Sequence, residues 1–223
     1  MSEDHQRWRE LYGRLKPHTM VWEAAFYDNL SLCRTYHQRG MSVVECGVWK
    51  GGMIAAIAAE LSDPEAAYHL FDSFEGLPPA EEVDGEAALN WQADKDSPIY
   101  YDNCRANMEE ARLAMEKAGV SRYEIHPGWF EDTLADWRPD KPISILRLDA
   151  DWYASTKLCL EKLFPHVAKG GLVILDDYRT WEGCAKAVDE YLKDQGISAQ
   201  IVDTQFDVSY FIKPKHTPLC GEL

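Results

Sequence analysis

The sequence predicts an α/β fold: a doubly wound, mostly parallel seven-stranded sheet with helices on both faces and an antiparallel edge hairpin, preceded by N-terminal helices. Three observations carry this. From Ser42 onward, short apolar runs alternate with helical stretches, the pattern of strand–helix–strand units in a sheet covered on both sides. The last two runs, about Ala199–Val202 and Val208–Lys213, lie too close together for a helical crossover and so pair as a hairpin. A chain of 223 residues with 46% apolar content can bury one sizeable core.

Taken in order, residues 1–40 place Trp8, Leu11, Tyr12 and Leu15, then Val21, Trp22, Ala25, Phe26 and Leu30, at helical spacing interrupted by Pro17. That predicts two helices as an extension before a domain of residues 41–215, with 216–223 as a tail. The strands read from "SVVECG", "YHLFDS", "YEIHPG", "ISILRLDA" and "GLVILDD", followed by the hairpin. Intervening helices begin near Lys50, Tyr101, Phe130, Ala154 and Trp181, and "AKGG" at 168–171 ends the fourth of them and opens the fifth strand. Residues 72–98 break the alternation with three prolines, eight acidic side chains and one lysine. They read either as a solvated loop or as an active-site lid, for which Trp91 supplies an apolar closing surface.

A formal net charge of −15 argues against a nucleic-acid groove or an anionic membrane surface and for a small-molecule partner. The six cysteines are scattered without a Cys-x-x-Cys pair and read as reduced core residues. No apolar run approaches a membrane span, and the charged N-terminus does not resemble a secretory signal; the expected location is cytoplasmic.

Ligands of open parallel sheets bind beyond the carboxyl ends of the strands, so the residues after each apolar run matter most. After the first comes "ECGVWKGG", with Glu45, Gly47 and Gly51; glycines here let a backbone approach a ligand, although the spacing is neither that of a dinucleotide fingerprint nor that of a P-loop. Asp72 follows the second run, placed to accept hydrogen bonds from a ribose, and with Glu45 it disfavours a phosphate-rich ligand. Asp149 and Asp151 end the fourth run, and Asp176 and Asp177 the fifth. Four carboxylates with no lysine close by call for a divalent cation, Mg²⁺ before Ca²⁺. Each alone has an ordinary explanation, and Asp151 could cap the helix starting near Ala154. His126 reads equally well as a structural histidine or as a neighbour of the site.

The motifs "ECGVWKGG", "FDSFEGLP", "GWFEDTL", "LRLDADWYAST" and "GGLVILDDY", in this order over about residues 42–180, resemble the divalent-cation-dependent, S-adenosylmethionine-dependent O-methyltransferases of class I. More closely, they resemble the macrocin and mycinamicin group, which methylates deoxysugar hydroxyls of macrolides. The resemblance implies a Rossmann-like methyltransferase sheet and a homo-oligomer. It implies that Glu45, Gly47 and Gly51 line the methionine part of S-adenosyl-L-methionine, that Asp72, Ser73 and Phe74 hold the ribose, and that Gly128, Trp129 and Phe130 border the adenine. It makes Asp149, Asp176 and Asp177 the Mg²⁺ ligands and leaves Asp151 as general base, the reverse roles of Asp149 and Asp151 staying open. Trp152 is bulkier than the aliphatic residue expected there.

The expected function is methyl transfer to a hydroxyl of a sugar or glycosylated natural product. A catechol-type phenolic acceptor is the alternative within the class. A metal-dependent phosphoesterase and a non-catalytic nucleoside-binding module are the alternatives outside it.

Overall fold

The computed structural model describes residues 3–215, so the expected tail at 216–223 and Cys220 lie outside the described residues. Helices α1 (Glu3–Leu15) and α2 (Glu23–Tyr36) come first, separated by a 3-10 turn at Lys16–His18 that carries Pro17. The strands are β1 (Ser42–Cys46), β2 (Tyr68–Asp72), β3 (Tyr123–Pro127), β4 (Ile143–Leu148), β5 (Val167–Leu175), β6 (Val202–Asp203) and β7 (Ser209–Ile212). They form one seven-stranded sheet in the order β3-β2-β1-β4-β5-β7-β6, with β7 antiparallel to both neighbours and the remaining pairs parallel. Strand order reverses between β1 and β4, and the ends of those two strands, with β2 and β5 beside them, carry the acidic residues singled out above.

The remaining helices are α3 (Gly52–Leu61), α4 (Glu86–Ala93), the four-residue turn α5 (Tyr101–Cys104), α6 (Met108–Lys117), α7 (Phe130–Thr133), α8 (Tyr153–Leu163) and α9 (Glu182–Asp194). Two apolar clusters fill the two faces of the sheet. Leu11, Leu15, Phe26 and Leu30 of α1 and α2 join Val43, Ile54 and Ile145 in one; Val44, Leu146, Leu160 and Val188 belong to the other. The alternation of Val43 and Val44, and of Ile145 and Leu146, between the clusters follows from the two-residue period of a strand. The N-terminal helices thus share a core with the sheet. No helix among the described residues is long and apolar enough to cross a membrane.

Four local expectations need correction. Residues Tyr101, Asp102, Asn103 and Cys104 all have positive φ, a left-handed turn, and the helix expected there starts at Met108, where the Asn107 side chain accepts the Glu109 N–H. "AKGG" lies within β5, with Gly170 in the left-handed region. The edge strand β6 is two residues, later than the Ala199–Val202 run. Residues 72–98 are not a bare loop: a 3-10 turn at Glu82–Asp84 and helix α4 occupy part of them. Buried Asp84 explains this, since its carboxylate accepts N–H groups from Glu81 and, across the chain, Tyr153. Of the cysteines, Cys33, Cys46, Cys159 and Cys184 are buried and free, and Cys104 is half-buried.

Candidate active site

The β1 turn approaches β4 so closely that only glycine fits. A Cβ on Gly47 would lie 1.7 Å from the Asp149 carbonyl oxygen, and its φ of +82° is already in the region L residues avoid. Replacing Gly47 with Ala is therefore expected to destabilise the protein by about 2 kcal/mol or more, from backbone strain and overpacking together. Thermal unfolding measures this, and an unchanged melting temperature would refute the close approach.

Gly51 caps the N-terminus of α3 in the left-handed region, and an added Cβ there would meet Ala111 Cα at 2.9 Å. Asp72, at the end of β2, accepts the Trp49 N–H at 2.7 Å on one oxygen and the Phe74 N–H at 2.6 Å on the other. Burial pushes its carboxyl up to about 6, against the lowering effect of those donors. A carboxylate oxygen has more than one lone pair, so both remain able to accept a ligand hydroxyl.

A cavity of about 670 Å³ opens above these strand ends, lined by Gly47, Asp72, Ser73, Trp129 and Phe130 and reaching Asp149 and Asp151. Phe74 and Gly128 support it instead: each N–H donates to Asp72, to the carboxylate and to the main-chain carbonyl respectively. Glu45 is buried and lines a second cavity, of about 370 Å³, together with Asp149, Asp151, Asp176, Asp177, Trp91 and Trp181. The two cavities meet at Asp149 and Asp151.

The carboxylates are not alone. Arg147, 1% exposed, points from β4 to the same side as Asp149. Its Nη1 donates to Glu45 at 2.6 Å and to Asp149 at 2.7 Å, its Nη2 donates to Asp176, and its Nε donates to Asn29 at 3.3 Å. Burial disfavours its charge, but Asp176, Asp149 and Glu45 together hold its pKa well above the ordinary value. Burial pushes Glu45 up to about 7 even with Arg147 opposing it, and Glu45 Oε2 has no partner.

Donor atoms of Asp149, Asp151 and Asp177 converge within 4.8 Å of one another, while Asp176, expected beside them, turns to Arg147. Asp151 has a φ of +55°; its N–H donates to Asp177 at 3.0 Å and its carboxylate accepts the Trp181 indole N–H at 3.0 Å. It does not cap α8, because Asp84 accepts the Tyr153 N–H at 2.7 Å and takes that role from a distant part of the chain. Desolvation, then the neighbouring carboxylates, raises the pKa of Asp151, Asp149 and Asp177 alike.

Trp152 is fully buried, donates its indole N–H to Pro78 and packs edge-on against Trp91 and Trp181, with centroids at 6.2 and 5.3 Å. Arg147, Asp84 and Trp181 were not singled out in the sequence. For Arg147 a signal existed: two residues before Asp149 in a strand, it must share its face.

The profile of the family described as Macrocin-O-methyltransferase (TylF) matches residues 10–213. A Streptomyces olivaceus protein, 8-demethyl-8-(2,3-dimethoxy-alpha-L-rhamnosyl)-tetracenomycin-C 4'-O-methyltransferase, is 35% identical over 204 residues, covering 86% of this chain and 75% of its own. The mycinamicin III 3''-O-methyltransferase of Micromonospora griseorubida is 30% identical over 171 residues, 72% of this chain and 64% of its own. Among solved structures, the O-methyltransferase NovP superposes with a TM-score of 0.73 at 26% identity, over 88% of this chain and 82% of NovP. The sheet order, the glycine-walled cavity at the β1 and β2 ends and these matches converge on one conclusion: the chain is an O-methyltransferase and belongs to the macrocin O-methyltransferase (TylF) family.

Proposed function

We propose that this S-adenosylmethionine-dependent enzyme methylates a sugar hydroxyl of a glycosylated natural product, with a divalent cation, Mg²⁺ foremost, at its carboxylate cluster. The observation that carries the reading is the meeting of two cavities at Asp149 and Asp151. The larger, with Asp72 at one end and Trp129 and Phe130 along it, suits a nucleoside; the smaller, with the indoles of Trp91 and Trp181 beside the acids, suits a sugar ring. Relatives named for rhamnosyl-tetracenomycin and mycinamicin substrates support a glycosidic acceptor.

The cluster fits a hard cation. Its donors are all carboxylate oxygens and three of them converge; burial first, and then their mutual negative charge, raises their pKa values, with Arg147 opposing this only at Asp149. Asp149 and Asp177 belong both to the trio implied by resemblance and to the one that converges in space, so they are assigned to the ion. Asp151 is assigned to the proton. When bound, the sulfonium cofactor would supply an activated methyl group, and a cation held by Asp149 and Asp177 would lower the pKa of a hydroxyl beside it. Asp151, held by Trp181 and by its own N–H bond to Asp177, accepts that proton. Asp72 fixes the nucleoside, and the cavity walls exclude water and bring donor and acceptor into line. Arg147 is committed to three carboxylates, which argues against its serving as a phosphate clamp.

Calorimetric titration of the metal-stripped protein with S-adenosylhomocysteine, with and without Mg²⁺, tests the cofactor half. Micromolar binding that Asp72→Ala weakens by about tenfold or more is expected, since that change removes a charged acceptor. Absence of binding in both conditions overturns the reading. Activity on glycosides, stimulated by Mg²⁺ and abolished by chelation, tests the acceptor half.

A further inference from the structure

On the far side of β2 from β1, at the β2–β3 edge, three side chains meet that the methyl-transfer site does not use. His69 pairs in register with Glu124, and Phe71 with His126, so the four project from one face of the two strands. His69 Nδ1 lies 3.3 Å from His126 Nε2 and 3.5 Å from Glu124 Oε2, and His126 Nε2 lies 3.8 Å from the same carboxylate oxygen.

A tetrahedral ion bonded at about 2.0–2.1 Å spaces neighbouring donors by about 3.3–3.4 Å. Both imidazoles are held in place. Trp137 meets His69 and His126 edge-on at 5.0 and 5.8 Å, and Phe71 stacks on His126 at 4.2 Å. His69 is buried, while the Glu124 side chain is 67% exposed, which leaves an approach from solvent and room for a water in a fourth position. Burial keeps both histidines in the neutral form that offers a lone pair, and the acidic Glu124 and Asp140 face His69.

We propose that His69, Glu124 and His126 form a second metal site, for a borderline transition-metal ion with Zn²⁺ foremost, separate from the carboxylate cluster. The donor set of two imidazoles and one carboxylate selects Zn²⁺ or Co²⁺ over Mg²⁺, which prefers oxygen alone. An ion there ties edge strand β3 to β2. The end of β3 leads directly into Gly128 and Trp129, so the ion braces one wall of the larger cavity from behind.

The test uses the chelator-treated full chain titrated with Co²⁺, whose visible absorption strengthens sharply in four-coordinate geometry, followed by Zn²⁺ displacement. One equivalent of such Co²⁺ is expected, displaced by Zn²⁺ and not by excess Mg²⁺. It persists in the Asp149→Asn/Asp177→Asn double variant, is weakened more than about tenfold by Glu124→Ala and is lost with His126→Gln. Because Glu124 is exposed, Glu124→Ala retains the fold, and Zn²⁺ is expected to raise the melting temperature of the parent protein and not of this variant. Absence of four-coordinate Co²⁺, its loss only in the aspartate variant, or equal uptake by every variant overturns the proposal. The two rings would then be a hydrogen-bonded pair without an ion.

Discussion

Replacing Arg147 with Met is expected to destabilise the ligand-free protein by about 3–5 kcal/mol, the cost of leaving buried charge without its partner. Glu45, Asp149 and Asp176 all accept hydrogen bonds from this guanidinium, and Glu45 is as buried as the arginine. The loss should depend on pH in a definite direction. Glu45 has a folded-state pKa of about 7 against an ordinary 4.5, so the folded protein binds the extra proton. Stability from this group is complete below about 4.5 and declines as pH rises toward 7. Without Arg147 the folded value moves higher still and the decline extends further. Urea unfolding at about pH 5.5 and about pH 8.5 should show the larger deficit at the higher pH. A variant within about 1 kcal/mol of the parent at both would show that the carboxylates do not depend on this cation.

The second large effect is on rate. Asp151→Asn is expected to lower kcat by about 10²–10⁴ while S-adenosylhomocysteine affinity changes by less than about threefold. The substitution is a fair test because asparagine tolerates the φ of +55° and can still accept the Trp181 N–H. In the parent enzyme, kcat should rise with pH as Asp151 loses its proton. Burial and Asp149 hold its pKa above the ordinary carboxylate range in the metal-free protein, and a cation on Asp149 and Asp177 would draw it down, so the rise should move to lower pH as Mg²⁺ is added. A near-normal rate in Asp151→Asn would move the proton-accepting role to Asp149.

The sheet was legible because each strand is a short apolar run, and the main cavity because strand-end residues such as Gly47, Asp72 and Asp149 are placed by topology alone. Partnerships between distant segments were not. Nothing local announces that Asp84, in a stretch rich in acids, is buried under the start of α8, or that Trp181 reaches back to Asp151. The sequence reads as a helix start near Tyr101; the left-handed turn found there is fixed by bonds formed only in the folded chain, the Asn103 side-chain amide donating to the Leu77 carbonyl and the Leu77 N–H to the Asn103 carbonyl. Arg147 was readable in principle, but an arginine inside "ISILRLDA" is easily taken for a surface residue when its strand is buried on both faces.

The contact between Gly47 and Asp149 has a mechanical consequence. The Gly47 N–H is bonded to Phe71 and the Asp149 N–H to Cys46, so the β1 turn, the end of β2 and the end of β4 are stitched at one level. With no side chain between them, there is no compressible layer to absorb a displacement of one against another. A displacement of the β1 turn would therefore carry the Asp149 backbone with it, so the place of this acid is tied to the wall of the larger cavity.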